Sequence, residues 1–373
     1  MIVERPELRV YDPYVDRNNI MIPKGAVEMY TSLRWGNAYN EAAEFEIHFP
    51  LRKEIVTMFD VFDIVQIMRP VREQYGIVLY TNIEIRETGE KEFIVKGRMI
   101  SYVLKFRFSW YNIENATGTG TMQHTTIDDT APRIIRFLLR ECINDHSTTL
   151  GRTTYLFGQE KLYVGTQVTG SYDEKTYEYQ RTKSVYDAVC ELAAGDELGF
   201  YMTLEDSVPG FYIYDYNNAN VYFDLELGNI RAMNYTKSID NYVSTVAIES
   251  ANSYIDVWSG GGSDVRNVMQ YMSTELSSGS TTMERLYYAR QQIMLNKPVD
   301  GISAEIIQNN RLYLRDYNIG DLIIVRIPEL DATKTLPILG AEEVWENGYN
   351  FSLQLGEQIM NPYKKLRYEV KTK

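Results

Sequence analysis

Side chains that commonly carry chemistry are thinly spread in this 373-residue chain, which holds three histidines and two cysteines. His124 stands shortly before Asp128 and Asp129, with Glu141 further along, and so has the look of a fragment of a metal site. A loop histidine ahead of a helix-capping aspartate produces the same string. No H-E-x-x-H and no second histidine at short spacing accompany it, His48 and His146 standing apart, so no metal is called for. Cys142 and Cys190 fall on apolar faces of expected helices, where a thiol behaves as a small hydrophobe, and two cysteines make neither a disulfide framework nor a four-cysteine zinc site. A G-x-S-x-G nucleophile elbow is missing. The glycines of GTGTMQ and SGGGSD do not lie between a strand and a helix, as a phosphate-binding loop requires, and no cofactor is expected. Fifty-one acidic residues offer many carboxylate pairs for glycoside cleavage, among which only geometry can choose.

Charge and composition narrow the field. A net charge of −13 argues against general affinity for nucleic acid or anionic membrane, since both select an excess of lysine and arginine. An acidic surface would nonetheless let a polyanion pass without sticking. The N-terminus MIVERPELRV lacks a long apolar core and no run approaches 18 apolar residues, so neither signal peptide nor membrane span is expected. Thirty tyrosines, clustered in YDEKTYEYQ and FYIYDYNNANVYF, suit strands and wet interfaces, and a stacked-ring sugar platform is the sharper alternative.

The elements that would position these residues are mostly strands. Phe45, Ile47 and Phe49 alternate with Glu44, Glu46 and His48, the period of a half-buried strand. DVFDIVQIM, GIVLYTNIEIRE and EFIVKG follow, the last two joined by a hairpin turning at Gly89. A helix is expected over 130–144, with Thr130 as cap, Pro132 in its first turn and Arg133, Arg136 and Arg140 on a solvated face. Ser184 and Asp187 form a capping box for a second helix that Gly195 ends. LGFYMTLEDSVPGFYIYDYN then reads as a hairpin turning at Pro209 and Gly210. Glycine- and serine-rich stretches at 259–264 and 273–282 precede a helix over 282–297, and strands return before a basic tail.

One stretch repeats. DIVQIMRP begins at Asp63 and DLIIVRIP at Asp321; each is followed by a glutamate-bearing strand, a turn glycine (Gly89, Gly348), an aromatic (Phe93, Phe351) and a closing glycine (Gly97, Gly356). That succession points to duplication of a β unit rather than to two unrelated hairpins.

Taken in order, YTSLRWGNAYNEAAEFEIHFP, FIVKGRMISYVLKFRF, TAPRIIRFLLREC, FDLELGNIRAMNYTKSIDNYVSTVAI and IGDLIIVRIP through FSLQLGE resemble the baseplate hub proteins of phage tails, the family that includes the N-terminal hub region of tail-associated lysins. The resemblance implies a β-rich α+β fold with two related antiparallel β-barrel tube domains, residues 1–106 and 231–373, separated by small modules at 107–182 and 183–230. It also implies a homotrimeric ring whose six barrels adapt a sixfold tail tube to a threefold tip. Partners would be the tail tube or distal tail ring, the tape measure protein, and a tip, spike or lysin protein, with DNA passing through the channel unbound. The protein would belong to the virion tail, assembled in the host cytoplasm, and would not be an enzyme: the chain stops soon after the second barrel, without room for a lytic domain. Glu44, Glu46, Glu84 and Glu87 are the candidate channel-lining residues. A wall-active glycosidase and a carbohydrate-binding tail module built on the tyrosine-rich hairpin of 198–223 remain the competing readings.

Overall fold

The computed structural model describes residues 4–15, 21–69, 72–107, 126–145, 162–178, 183–205, 208–239, 242–249, 255–259, 269–272, 285, 289, 292–293, 296–308 and 311–356. Its first strands are β1 (Leu8–Val15), β2 (Met21–Val27), β3 (Ser32–Ala38) and β4 (Glu44–Pro50). A short helix, α1 (Lys53–Met58), leads to β5 (Ile64–Ile67), β6 (Gln74–Ile85) and β7 (Lys91–Met99). The alternation in β4 is obeyed: Phe45, Ile47 and Phe49 enter the core while Glu44, Glu46 and His48 face out. All four residues of β5 are buried, Gln66 among them, its amide accepting from the Tyr11 hydroxyl and donating to that of Tyr75.

Next come β8 (Thr126–Thr130), α2 (Ala131–Leu139), β9 (Tyr163–Gln167), β10 (Glu174–Glu178), α3 (Val185–Gly195), β11 (Gly199–Glu205) and β12 (Val208–Tyr214). The helix expected over 130–144 begins after Thr130 as read, but from Arg140 it continues as a π-helical turn to Asp145. Ser184 caps α3 by accepting from the Asp187 N–H at 3.1 Å. Tyr186 on α3 accepts from the Ala42 N–H at 2.8 Å, which fastens this module to the segment between β3 and β4. The hairpin does not turn at Pro209 and Gly210. Both lie within β12, opposite Leu204 and Thr203, and the ladder runs on past them to Glu205 opposite Val208. Pro209 is tolerated because the second ladder of β12, to β9, begins only at Gly210; Gly210 serves packing, since an added Cβ would come within 2.9 Å of the Tyr212 ring.

The chain then forms β13 (Asn217–Phe223), β14 (Ile230–Ser238), a small three-stranded sheet of β15 (Thr245–Glu249), β16 (Ile255–Ser259) and β17 (Met269–Met272), and finally β18 (Val299–Ile306), β19 (Asp321–Ile327), β20 (Ala332–Trp345) and β21 (Tyr349–Gly356). Of the helix expected over 282–297, Arg285, Ala289, Gln292 and Ile293 are helical and several neighbours lie outside the described residues. Residues 260–264, 273–282 and the basic tail also lie outside them.

Strand order answers the question the repeat raised. One thirteen-stranded sheet contains two sets in the same order: β1-β5-β6-β7-β4-β3, and β13-β19-β20-β21-β18-β14. The registers agree as well. Ile64 faces Ile77 and Leu322 faces Pro337; each long strand then skips one residue, a β-bulge at Leu79 and at Leu339, before facing its hairpin partner. The opening aspartates do the same work. Asp63 accepts from the Asp60 N–H at 2.6 Å and Asp321 from the Asn318 N–H at 2.7 Å, each just after a residue with positive φ, Phe62 (73°) and Gly320 (88°). The sets differ at the start, where β1 pairs antiparallel with β5 but β13 pairs parallel with β19. They also differ in detail from the sequence match: Gly97 corresponds in register to Leu355 rather than to Gly356, and Glu343 to Ile83 rather than to Glu84. A one-residue slip in a strand changes the face, so the glutamates of the two copies are not equivalent.

Burial raises the Asp321 carboxyl above its ordinary 3.8, against the opposing hydrogen bonds from Asn318 and Asn217. The replacement Asp321→Ala strands those donors and should cost about 1–3 kcal/mol in urea unfolding. Because the folded-state value is raised, the native state holds the proton more tightly than the unfolded chain. Wild-type stability relative to Asp321→Asn should therefore rise as pH falls through the window above 3.8, and parallel urea titrations of the two proteins at several pH values check it.

Candidate functional site

Among the described residues, the two strand sets meet at one ladder. The outer half of β20 pairs antiparallel with β3, from Gly340 opposite Ala38 to Trp345 opposite Leu33. On the core side of this joint Arg69, just past β5, makes a two-pronged ion pair with Glu343 on β20, at 2.9 and 2.5 Å. Tyr349 donates to the same carboxylate at 2.7 Å, and the guanidinium lies 5.2 Å from the Trp345 ring centroid. Burial opposes the charge on Arg69, but the Glu343 carboxylate more than offsets it and keeps the guanidinium ionised. Burial, with Glu343 next, pushes the Tyr349 phenol up, so it remains a donor. Trp345 also packs in the core of the first set beside Leu33, Trp35 and Phe45, although it belongs to the second.

The opposite face of the same sheet carries charge in alternation. Arg34 binds Glu342 across the joint at 2.7 Å; Lys96 binds Glu46 at 2.9 Å; Arg98 pairs with Glu44; and His48 lies 2.9 Å from Glu46. Partial burial pushes the Glu46 carboxyl up, yet the hydrogen bonds from Lys96 and His48 outweigh it and hold it below the ordinary range. At the hairpin end Glu84 and Glu92 stand directly opposite each other, and Arg86 reaches Glu84, Glu90 and Glu92 at 3.1 to 3.3 Å. Glu87 is exposed in the turn. The structure thus brings Glu44 and Glu46 together on one face with Glu84 further along it, each held by a cation. Sequence reading missed the cations because cross-strand partners are fixed only by register.

Other candidates separate. His124 and His146 lie outside the described residues, and among those described no group of three or more His, Cys, Asp or Glu is placed to hold a metal ion. Cys142 and Cys190 are both buried. In the tyrosine-rich sheet of β11, β12 and β9, Tyr201 stacks on Tyr212 at 4.9 Å, and Arg72 covers Tyr201 at 3.7 Å, so these ring faces are spent on internal contacts. No described helix is long and apolar enough to cross a membrane.

This architecture defines a class, the fold of phage tail proteins. The tail protein from Neisseria meningitidis MC58 matches with a TM-score of 0.58 at 11% identity, over 95% of this chain and 96% of that one. The 43 kDa tail protein of prophage MuSo2 from Shewanella oneidensis matches with a TM-score of 0.58 at 11% identity, covering 95% and 98%. A chain of the half-lidded PdpA-VgrG complex of Francisella matches with a TM-score of 0.52 at 9% identity, over 95% of this chain and 58% of that one. Residues 7–356 fit the family described as Siphovirus ReqiPepy6 Gp37-like protein, and the chain belongs to that family. No curated protein matches the sequence. By family and fold the chain is a phage tail-tip or baseplate-like protein, as the resemblance implied.

Replacing Arg69 alone by Ile leaves the Glu343 charge buried without its partner and should cost about 3–5 kcal/mol. Adding Glu343→Ile should recover at least half of that loss, because a well-packed apolar pair often replaces a buried ion pair at little cost. Chemical unfolding of the wild type, the two single variants and the double variant measures the coupling.

Proposed function

We propose that this protein is a structural hub at the distal end of a phage tail. It acts as a homotrimer in which each chain contributes two β-barrel tube units, one from residues 1–106 and one from 231–373 joined by β13, with the module at 107–182 and the part of 183–230 before β13 on the periphery. Six related units stack on the sixfold tail tube, while three chains present threefold symmetry to a tip, spike or lysin protein. The observation that carries this reading is the duplication: two strand sets of the same order and register, already joined side by side within one chain. A closed ring needs matching surfaces at every joint, and an internal repeat supplies them from half as many chains.

The family membership supports a place in the virion tail. A fold shared with a chain from a complex containing VgrG supports a neighbour of the spike type. In this reading the charged face of the sheet lines the channel, because the other face is committed to the cores. Glu44, Glu46 and Glu84, matched by Lys96, Arg98 and Arg86, then present DNA and the tape measure protein with a wall whose charges are largely satisfied. Without a surplus of cations, DNA has few counterions to exchange and slides without being held. The ring closes the tube until ejection and leaves the passage open afterwards. Its task is mechanical, and no catalytic residue is assigned.

Light scattering after size exclusion tests the reading. The expected particle is a trimer of about 130 kDa, three times the 43.3 kDa chain, seen as a ring in negative stain. A monomer at every concentration up to ~100 µM would overturn it.

A further inference from the structure

The joint inside the chain has two unfilled counterparts. Because β6 corresponds to β20 and β14 to β3, the partner of the outer half of β6 should be a strand equivalent to β3. Among the described residues, the outer half of β6 pairs only with β7 and β14 pairs only with β18. The contrast in burial follows. Gly340, Glu343 and Trp345, covered at the internal joint, are matched in register by Tyr80, Ile83 and Ile85, which are 49%, 48% and 63% exposed. Ile83 and Ile85 point to the core side of the sheet yet face solvent, and three exposed large apolar side chains along one free edge are a pairing surface that a lone chain leaves open.

We propose that β6 of one chain pairs antiparallel with β14 of a second copy, in the register of the internal joint: Ile85 opposite Met233, Ile83 opposite Tyr235, and Thr81 opposite Lys237. Each pairing is the image of an observed one, Trp345 opposite Leu33, Glu343 opposite Trp35 and Ala341 opposite Asn37. This rests on the ring reading above and specifies its chain-to-chain joint.

The chemistry of the two joints is coherently different. At the internal joint Glu343 meets Arg69. At the joint between copies, Ile83 takes the place of Glu343, and the position matching Arg69 in the second set is Ile327, 3% exposed in that set's core. Both members of the ion pair are exchanged for isoleucine together, so an apolar side chain from one copy meets an apolar core in the next and no buried charge is left alone. The occupant that fits this edge is therefore another copy of the same chain, presenting β14. The arrangement is head to tail, each copy giving β6 on one side and β14 on the other, as a closed cyclic assembly requires.

Paired cysteines read the register directly. In the full chain carrying Ile85→Cys and Met233→Cys, directly opposed positions lie about 4.5–5.5 Å apart at Cβ, close enough for mild oxidation to link copies covalently. Ile85→Cys with Lys237→Cys, about 13 Å out of register, should link at least tenfold less. A second variant, Ile83→Glu, changes a half-exposed side chain, so the monomer should melt as wild type while association weakens at least tenfold. Mass measured on the same samples separates the two ideas. A trimer that links at neither pair, or only at the out-of-register pair, or that assembles unchanged with Ile83→Glu, overturns the proposed joint and leaves the ring standing. A protein that stays monomeric overturns both.

Discussion

Backbone pairing between β20 and β3 is the constraint on which the rest of the molecule depends. It brings a strand near one end of the sequence beside a strand near the other and makes a single sheet from two sets. It also places Trp345 in the core of the first set, so that core is incomplete without the other half. Once that ladder is fixed, the charged face follows by alternation, because every side chain not directed into a core is directed at the opposite surface. The ion pairs across the face, Arg34 with Glu342 and Lys96 with Glu46, are consequences of register rather than independent sources of order. Exposed pairs of this kind contribute little individually; what they supply is balance of charge over a broad surface.

Two solutions to the same packing problem coexist in the duplicated halves. The internal joint admits a buried arginine from the first set and a carboxylate from the second, and flanks them with a phenol and an indole face. The corresponding places, Ile327 in the second set for Arg69 and Ile83 in the first for Glu343, are apolar. A two-pronged Arg–carboxylate contact has strict geometry, and within one chain, where the partners are covalently connected, that strictness fixes the angle between halves at small entropic cost. Lys24 bound to Asp63 at 2.6 Å marks a further departure of the first copy, since among the described residues Asp321 takes backbone and amide donors. Divergence has worked on the surroundings while the strand order and the two bulges stayed.

How much of this could be read beforehand depends on the range of the interaction. The alternation of β4, the cap at Ser184 and the turn at Gly89 are local, and local patterns sufficed to find them. The repeat was legible from Asp63 and Asp321 because a strand entry stabilised by an aspartate and a positive-φ residue leaves a short signature. Its interior was misread by one step: the glutamates near each hairpin look alike in sequence, but connections of unequal length between the strands put Glu343 inside and Glu84 outside. Pro209 and Gly210 looked like a turn because their usual role is local, whereas here the ladder to β9 and the ring of Tyr212 decide. The cations beside Glu44 and Glu46 were invisible for the same reason: partner identity resides in the pairing of distant strands.

The pairing of β20 with β3 also has a consequence in time. The segment that completes the sheet emerges from the ribosome some three hundred residues after the strand that waits for it. Through that interval β3 has an uncovered edge, and Trp35 and Leu33 lack the strand that will shield them. Contacts of such long sequence separation form slowly, because loop closure must be met before the ladder returns any energy. A nascent chain in this state presents the kind of edge on which strands from other molecules add. The order of synthesis therefore favours assembly after the chain is released: a copy must first close its own joint with β20 before its neighbours compete for β3.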